Sequence, residues 1–150
     1  VPFYKREFLM NKLYFIIIVS VLCLITLSLN ADDNRLYHDL GGQDTVDRMT
    51  SELLDRILVN EKIAFLFEDT DREELHSKIA NQICMETGGP CDYQGLDMVE
   101  AHSGMAIKYS EFDVFVSDFI DAMKAAGVPY RLQNRVLAVF APMREDITYE

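Results

Sequence analysis

The stretch "GGPCDYQGLDMVEAHSGMAI", residues 88–107, joins a turn, a loop and one histidine inside an apolar helical rhythm. Gly88, Gly89 and Pro90 stop whatever helix precedes them, because two residues without a Cβ and one without an amide hydrogen cannot continue it. At a period of 3.6, Met98, Ala101, His102 and Met105 fall at i, i+3, i+4 and i+7, so the imidazole is expected to share the inward direction of the methionines. It is then either a core histidine satisfied by its neighbours or a ligand to a metal or haem iron, which needs one neutral imidazole from the protein. The chain holds three histidines and has no HExxH or CxxC, so a zinc site made by protein alone is poorly supported.

The segments around this stretch are helical in pattern. "TVDRMTSELLDRIL", residues 45–58, places Val46, Met49, Leu53, Leu54 and Ile57 on one face, after a break at Gly41 and Gly42. Thr70 and Glu73 have capping-box spacing and are expected to open the helix that Gly88 closes, with Leu75, Ile79 and Ile83 as its stripe. Ser110 is the expected cap of a helix bearing Phe112, Phe115, Val116, Phe119, Ile120 and Met123, ended by Gly127. The last helix follows Pro129 and turns Leu132, Val136, Leu137, Phe140 and Met143 inward, with Pro142 disturbing its final turn. No long run alternates with period two, so the expected class is all-α. Phe65, Leu66 and Phe67 in "IAFLFED" crowd a turn where large apolar groups call for an apolar cover.

Ahead of these helices, residues 10–31 combine Lys12, an apolar run from Leu13 to Ile25 and a small residue at Ala31, the pattern of an export signal. Met10 is its expected start. The run reaches Leu29, about 17 residues, near the lower limit for crossing a bilayer, so residues 13–29 could instead stay as a membrane anchor with Lys5, Arg6 and Lys12 inside. The expected division is therefore a leader at 1–31 and one domain at 32–150, in an exported, periplasmic or otherwise extracytoplasmic protein.

The chain has 14 basic and 25 acidic residues, and the leader holds three of the former and one of the latter, so residues 32–150 carry a formal charge of −13. Such a surface repels phosphate backbones, and nucleic acid is not an expected partner. Cys84 and Cys91, seven apart, could pair in an oxidising compartment or remain two thiols. The absence of CxxCH argues against covalent haem of the c type.

From Leu36 to Ile147 the sequence resembles the group 1 truncated haemoglobins. "LYHDLGG" (36–42) resembles the family's opening segment, "GGPCDYQGLDMVEAHSGMAI" its GGP, Tyr-x-Gly, Met and Ala-His signature, and "AAGVPYRLQNRVLAVFAPMRED" (125–146) its last two helices. The resemblance implies a two-over-two helical sandwich around haem b, with His102 as proximal iron ligand and Phe67 as the haem-packing phenylalanine. It implies that Phe112, Phe115 and Phe140 contact haem, with Met98 beside them and Tyr93 and Lys108 near the haem edge.

The departures from that family lie on the distal side. Where many members carry tyrosine and glutamine, this chain has Leu53-Leu54 and Leu75 with Ile79, so Leu54, Leu75, Ile79 and Ile83 are expected to make an apolar distal pocket. A donor to a gas that takes up negative charge is worth roughly 1.5–3 kcal/mol. Its loss predicts release of oxygen about ten to a hundred times faster, with carbon monoxide less affected. The expected function is reversible binding of oxygen, NO or CO. Nitric oxide dioxygenase activity, which would need a reductase partner, is disfavoured by the same apolar pocket. The alternative is a six-coordinate haem protein for electron transfer or sensing, with Lys78 or His76 as second ligand. A lysine must lose its proton to serve, and its ordinary pKa is about 10.4, which favours a solvated Lys78 or one reaching a haem propionate. His76 is rotated by about 100° from Leu75 and is expected to point sideways.

Overall fold

A computed structural model describes residues 35–149 of the chain, which belong to one compact unit. The leader and anchor readings of residues 1–31 lie outside the described residues. Among those that are described, every regular element is helical and no helix is long and apolar enough to cross a membrane.

The elements are α1 (Leu36–Leu40), α2 (Gln43–Ile57), a 3-10 turn (Ala64–Phe67), α3 (Arg72–Glu86), α4 (Met98–Ala101), α5 (Tyr109–Ala125), α6 (Tyr130–Phe140), a 3-10 turn (Ala141–Met143) and α7 (Arg144–Ile147). α2 is the pivot. It packs against both α3 and α5, while α5 meets α6, so two helical pairs share one core. The stripe expected on α2 is that core's centre: Val46, Met49, Leu53, Leu54 and Ile57 are all at most 1 % exposed. Burying a side chain of this size contributes about 1.5–3 kcal/mol.

α3 buries only part of the stripe expected of it. Its buried residues are Ala80, Ile83 and Cys84, whereas Leu75 and Ile79 stay half-buried. Ala80, Ile83 and Cys84 belong to the core, and Leu75 and Ile79 pack at its margin. On α5 and α6 the same division holds: Phe119, Met123, Leu132 and Val136 are buried, while Phe112, Phe115, Leu137 and Phe140 are half-buried.

Three boundaries also differ from the sequence expectation. Asp71, not Thr70, caps α3, its Oδ1 accepting from the Glu74 amide at 2.8 Å, since an aspartate one residue further in caps at least as well as threonine. α5 starts at Tyr109, before Ser110, because Glu111 reaches back to accept from the Lys108 amide at 2.8 Å. α4 has only four residues and ends before His102; Gly104 (φ +80°) and Ala106 (φ +50°) turn the chain out of helix, leaving Ala101 exposed and Met105 half-buried outside it. Pro142 acts as expected, converting the end of α6 into a 3-10 turn.

Between α3 and α4 the chain is held tightly. Cys84 and Cys91 form a disulfide. Thr87 donates to the Ile83 carbonyl at 2.6 Å, and the Tyr37 amide donates to the Thr87 carbonyl at 2.9 Å. At Gly89 a Cβ would lie 2.6 Å from Cys84 Sγ and 2.7 Å from the Tyr37 ring, so only glycine fits under this crossing.

Candidate functional site

His102 is the C-cap of α4, half-buried, with Nδ1 2.8 Å from the Met98 carbonyl. A carbonyl can only accept, so Nδ1 carries the proton and Nε2 keeps its lone pair. A neutral ring held this way would have Nε2 available to a metal ion, on the side away from its anchor. The C-terminal segment supports it from behind: α4 packs against α7, and the Tyr149 amide donates to the Ile107 carbonyl at 3.0 Å.

The half-buried apolar residues supply flat surface of the kind a haem needs. Phe119 is buried and anchors two of the expected contacts, with Phe115 at 6.5 Å between ring centroids and Phe140 edge-on at 6.2 Å. Phe112 is half-buried beneath the guanidinium of Arg144, 5.5 Å from its ring, and Arg144 also lies 4.9 Å over Tyr109 and pairs with Asp113 at 2.9 Å. Phe67 is half-buried at the end of its 3-10 turn, and Phe65 beside it stays exposed, so the cover expected for that turn reaches only part of it. Tyr93 is half-buried, donates to the Leu96 carbonyl at 3.1 Å and folds its ring over Gly95, where a Cβ would run into it. That close approach is the physical reason for a glycine two residues after the tyrosine. Lys108 is exposed at the cap of α5.

On the other side Leu54 is fully buried, Ile83 is 2 % exposed, and Leu75 and Ile79 are half-buried. None of these four bears a polar side-chain atom. The two proposed second ligands are committed elsewhere. Lys78 is exposed and pairs with Glu74 at 2.7 Å; the hydrogen bond and charge of that carboxylate push its pKa up, which keeps the proton on. His76 turns its Nε2 to Ser51 Oγ (3.1 Å) and the Asp47 carbonyl (3.2 Å) on α2. With Gln43 and Asn81 these residues line a polar groove of about 580 Å³ that includes none of the residues expected around haem.

The apolar periodicity of α3 does not single out Gln82. Gln82 lies seven residues after Leu75 and shares its direction to within about 20°. It is half-buried, and its amide donates to Met98 Sδ at 3.3 Å and Met143 Sδ at 3.6 Å. Its i+7 spacing was the signal, obscured because the stripe was traced by apolar residues alone. No group of three or more metal-binding side chains occurs among the described residues, so the iron chemistry this donor set fits is that of one imidazole completing a macrocycle.

The sequence profile of the bacterial-like globin family matches residues 35–149. The chain is 27% identical over 117 residues to group 1 truncated hemoglobin GlbN of Mycolicibacterium paratuberculosis, covering 78% of this chain and 86% of that one. It is 30% identical over 110 residues to the GlbN of Synechocystis, covering 71% and 89%. The truncated hemoglobin of Tetrahymena pyriformis in its Fe(III) form superposes with a TM-score of 0.73 at 26% identity, over 77% of this chain and 98% of that one. The 2/2 hemoglobin of a Synechococcus species, with covalently attached heme, has a TM-score of 0.70 at 21% identity over 75% and 96%, a likeness of fold. Two helical pairs in this order, with one imidazole presented from a short helix, are the two-over-two globin arrangement, whose cofactor is haem b; the chain belongs to the bacterial-like globin family and is a truncated haemoglobin of group 1 type.

Proposed function

We propose that this globin binds a diatomic gas, oxygen, NO or CO, reversibly at a haem whose proximal ligand is His102. The observation that carries this is the 2.8 Å contact between His102 Nδ1 and the Met98 carbonyl, which leaves Nε2 as the donor. Haem, when bound, supplies the iron and its open coordination position; the chain supplies the rest. His102 holds the iron from one side, and Phe67, Phe112, Phe115 and Phe140 flank the macrocycle. Leu54, Leu75, Ile79 and Ile83 exclude water and offer no hydrogen bond on the other. A site of that kind retains the less polar gases relatively better than oxygen.

The pairing of Lys78 with Glu74 and of His76 with α2 supports five-coordinate ferrous iron over the six-coordinate alternative. The lack of distal donors also weighs against nitric oxide dioxygenase activity, and a reductase partner is not part of this reading. We place the protein outside the cytoplasm, supported by the leader-like residues 10–31 and by the Cys84–Cys91 disulfide, which an oxidising compartment maintains.

The test is the absorption spectrum of the haem-reconstituted protein, ferric and then reduced, with the rate of oxygen release. A five-coordinate ferrous spectrum lost in His102→Ala, with rapid oxygen release, is the expected result. A six-coordinate ferrous spectrum overturns the open-site reading, and failure to take up haem overturns the whole.

A further inference from the structure

Gln82 sits where the two functional walls touch. It belongs to α3, whose Leu75 and Ile79 face the same way, yet its amide reaches Met98, the residue whose carbonyl fixes the His102 ring. Met143, from the turn after α6, completes the contact on the same nitrogen. The chain of atoms therefore runs from the Gln82 amide to the Met98 sulfur, along Met98 to its carbonyl, and from there to His102 Nδ1. A half-buried amide turned onto two thioethers is an unusual use of a polar side chain, since sulfur accepts weakly and a leucine would fill the volume without the desolvation cost. What glutamine adds over leucine is direction. It holds the otherwise flexible Met98 side chain at one place, in a helix too short to be stable by itself.

The geometry points to Gln82 as a positioning residue for the proximal ligand: through Met98 it sets the seat of α4 and hence the orientation of His102, linking the gas-facing helix to the iron-facing one. This rests on the gas-binding reading above and specifies how the two sides of that site are coupled. It also separates Gln82 from the apolar pocket residues, which act by bulk.

The full chain, loaded with haem, tests it. Gln82→Leu and Met98→Leu are each expected to raise the rate of haem loss about two- to fivefold, the range for one weak hydrogen bond, and the double variant to be no worse than either alone. The iron–histidine stretching frequency should shift by the same amount in both single variants. Gln82→Glu keeps the length, but as a carboxylate it cannot donate to sulfur. Its haem-loss rate relative to the unaltered protein should fall toward one as pH drops through the glutamate's titration, and that pH dependence should vanish when Met98→Leu is added. The same pair of variants in urea unfolding of the haem-free chain gives a second cycle. Multiplicative effects of the two leucine substitutions, or a pH-independent ratio for Gln82→Glu, overturn the proposal while leaving gas binding intact. If the chain takes up no haem, both readings fall, whatever the urea cycle shows.

Discussion

The two sides of the site are built on opposite principles. The side proposed to face the iron is a four-residue helix capped by one histidine, and what matters there is the placement of a single nitrogen by a single 2.8 Å hydrogen bond. The side proposed to face the gas is a fifteen-residue helix backed by fully buried Leu54, and what matters there is that Leu54, Leu75, Ile79 and Ile83 carry no polar side-chain atom. One side is specified by chemistry and the other by volume. Substitutions should therefore be all-or-none on the first and graded on the second.

The largest effect should come from His102→Ala. It removes the imidazole proposed to hold the iron, and the ferrous spectrum should lose its five-coordinate histidine form, with added imidazole restoring it. If the spectrum survives unchanged, the contrast between the sides collapses, because another residue must hold the iron.

A polar atom placed on the gas-facing side should convert volume into chemistry. Ile79→Gln is expected to slow oxygen release about ten- to a hundredfold and carbon monoxide release much less, since a donor favours the more polar ligand by roughly 1.5–3 kcal/mol. Stopped-flow release rates measure this. Equal slowing of both gases would mean that the new side chain acts by obstruction.

The junction between the sides is expected to matter for stability more than for ligand rates. Replacing Cys84 and Cys91 together by serine opens a loop of eight residues and should cost about 2–3 kcal/mol by the chain-entropy estimate, read as a lower urea midpoint. His76→Ala, on the far face of α3, should cost about 1 kcal/mol and leave the haem spectrum untouched. A changed spectrum there would bring back the six-coordinate alternative.

The smallest effect concerns the Asp39–Arg135 pair joining α1 to α6. The hydrogen bond from Arg135 at 2.7 Å holds the Asp39 carboxyl below its usual pKa. A lowered folded pKa stabilises the fold above the ordinary carboxylate range, and the benefit is lost as pH falls through the folded value. Asp39→Asn should therefore flatten the acid limb of the stability profile slightly, with no change near neutrality in the rates of gas release.

How much of this was legible in the sequence follows the same contrast. The stripe of α2 was readable because all five of its apolar residues meet other protein, and a period of 3.6 describes that packing. On α3 the stripe is legible only in part: Ile83 is buried as expected, but Leu75 and Ile79 lie at the core's margin, and the rest of the core contact is made by Ala80 and Cys84, which carry little hydrophobic signal. Gln82 was overlooked because the stripe was traced only through apolar residues. The histidine's direction was legible, but not the length of its helix: the pattern continues to Met105, whereas the backbone turns out of helix at Gly104 and Ala106. The pairing of Cys84 with Cys91 was left open, since spacing permits a bridge without requiring one.

The brevity of α4 reaches beyond geometry. Four residues cannot form a stable helix by themselves, so the energy that orders the iron-facing segment comes from what it touches. A cofactor that binds the folded chain and not the unfolded one adds to stability in proportion to the logarithm of its free concentration. The melting temperature of this globin should accordingly track the supply of haem, and amide hydrogens of residues 98–107 should exchange with solvent fastest when haem is scarce. In a cell, the lifetime of such a protein becomes a readout of its own prosthetic group.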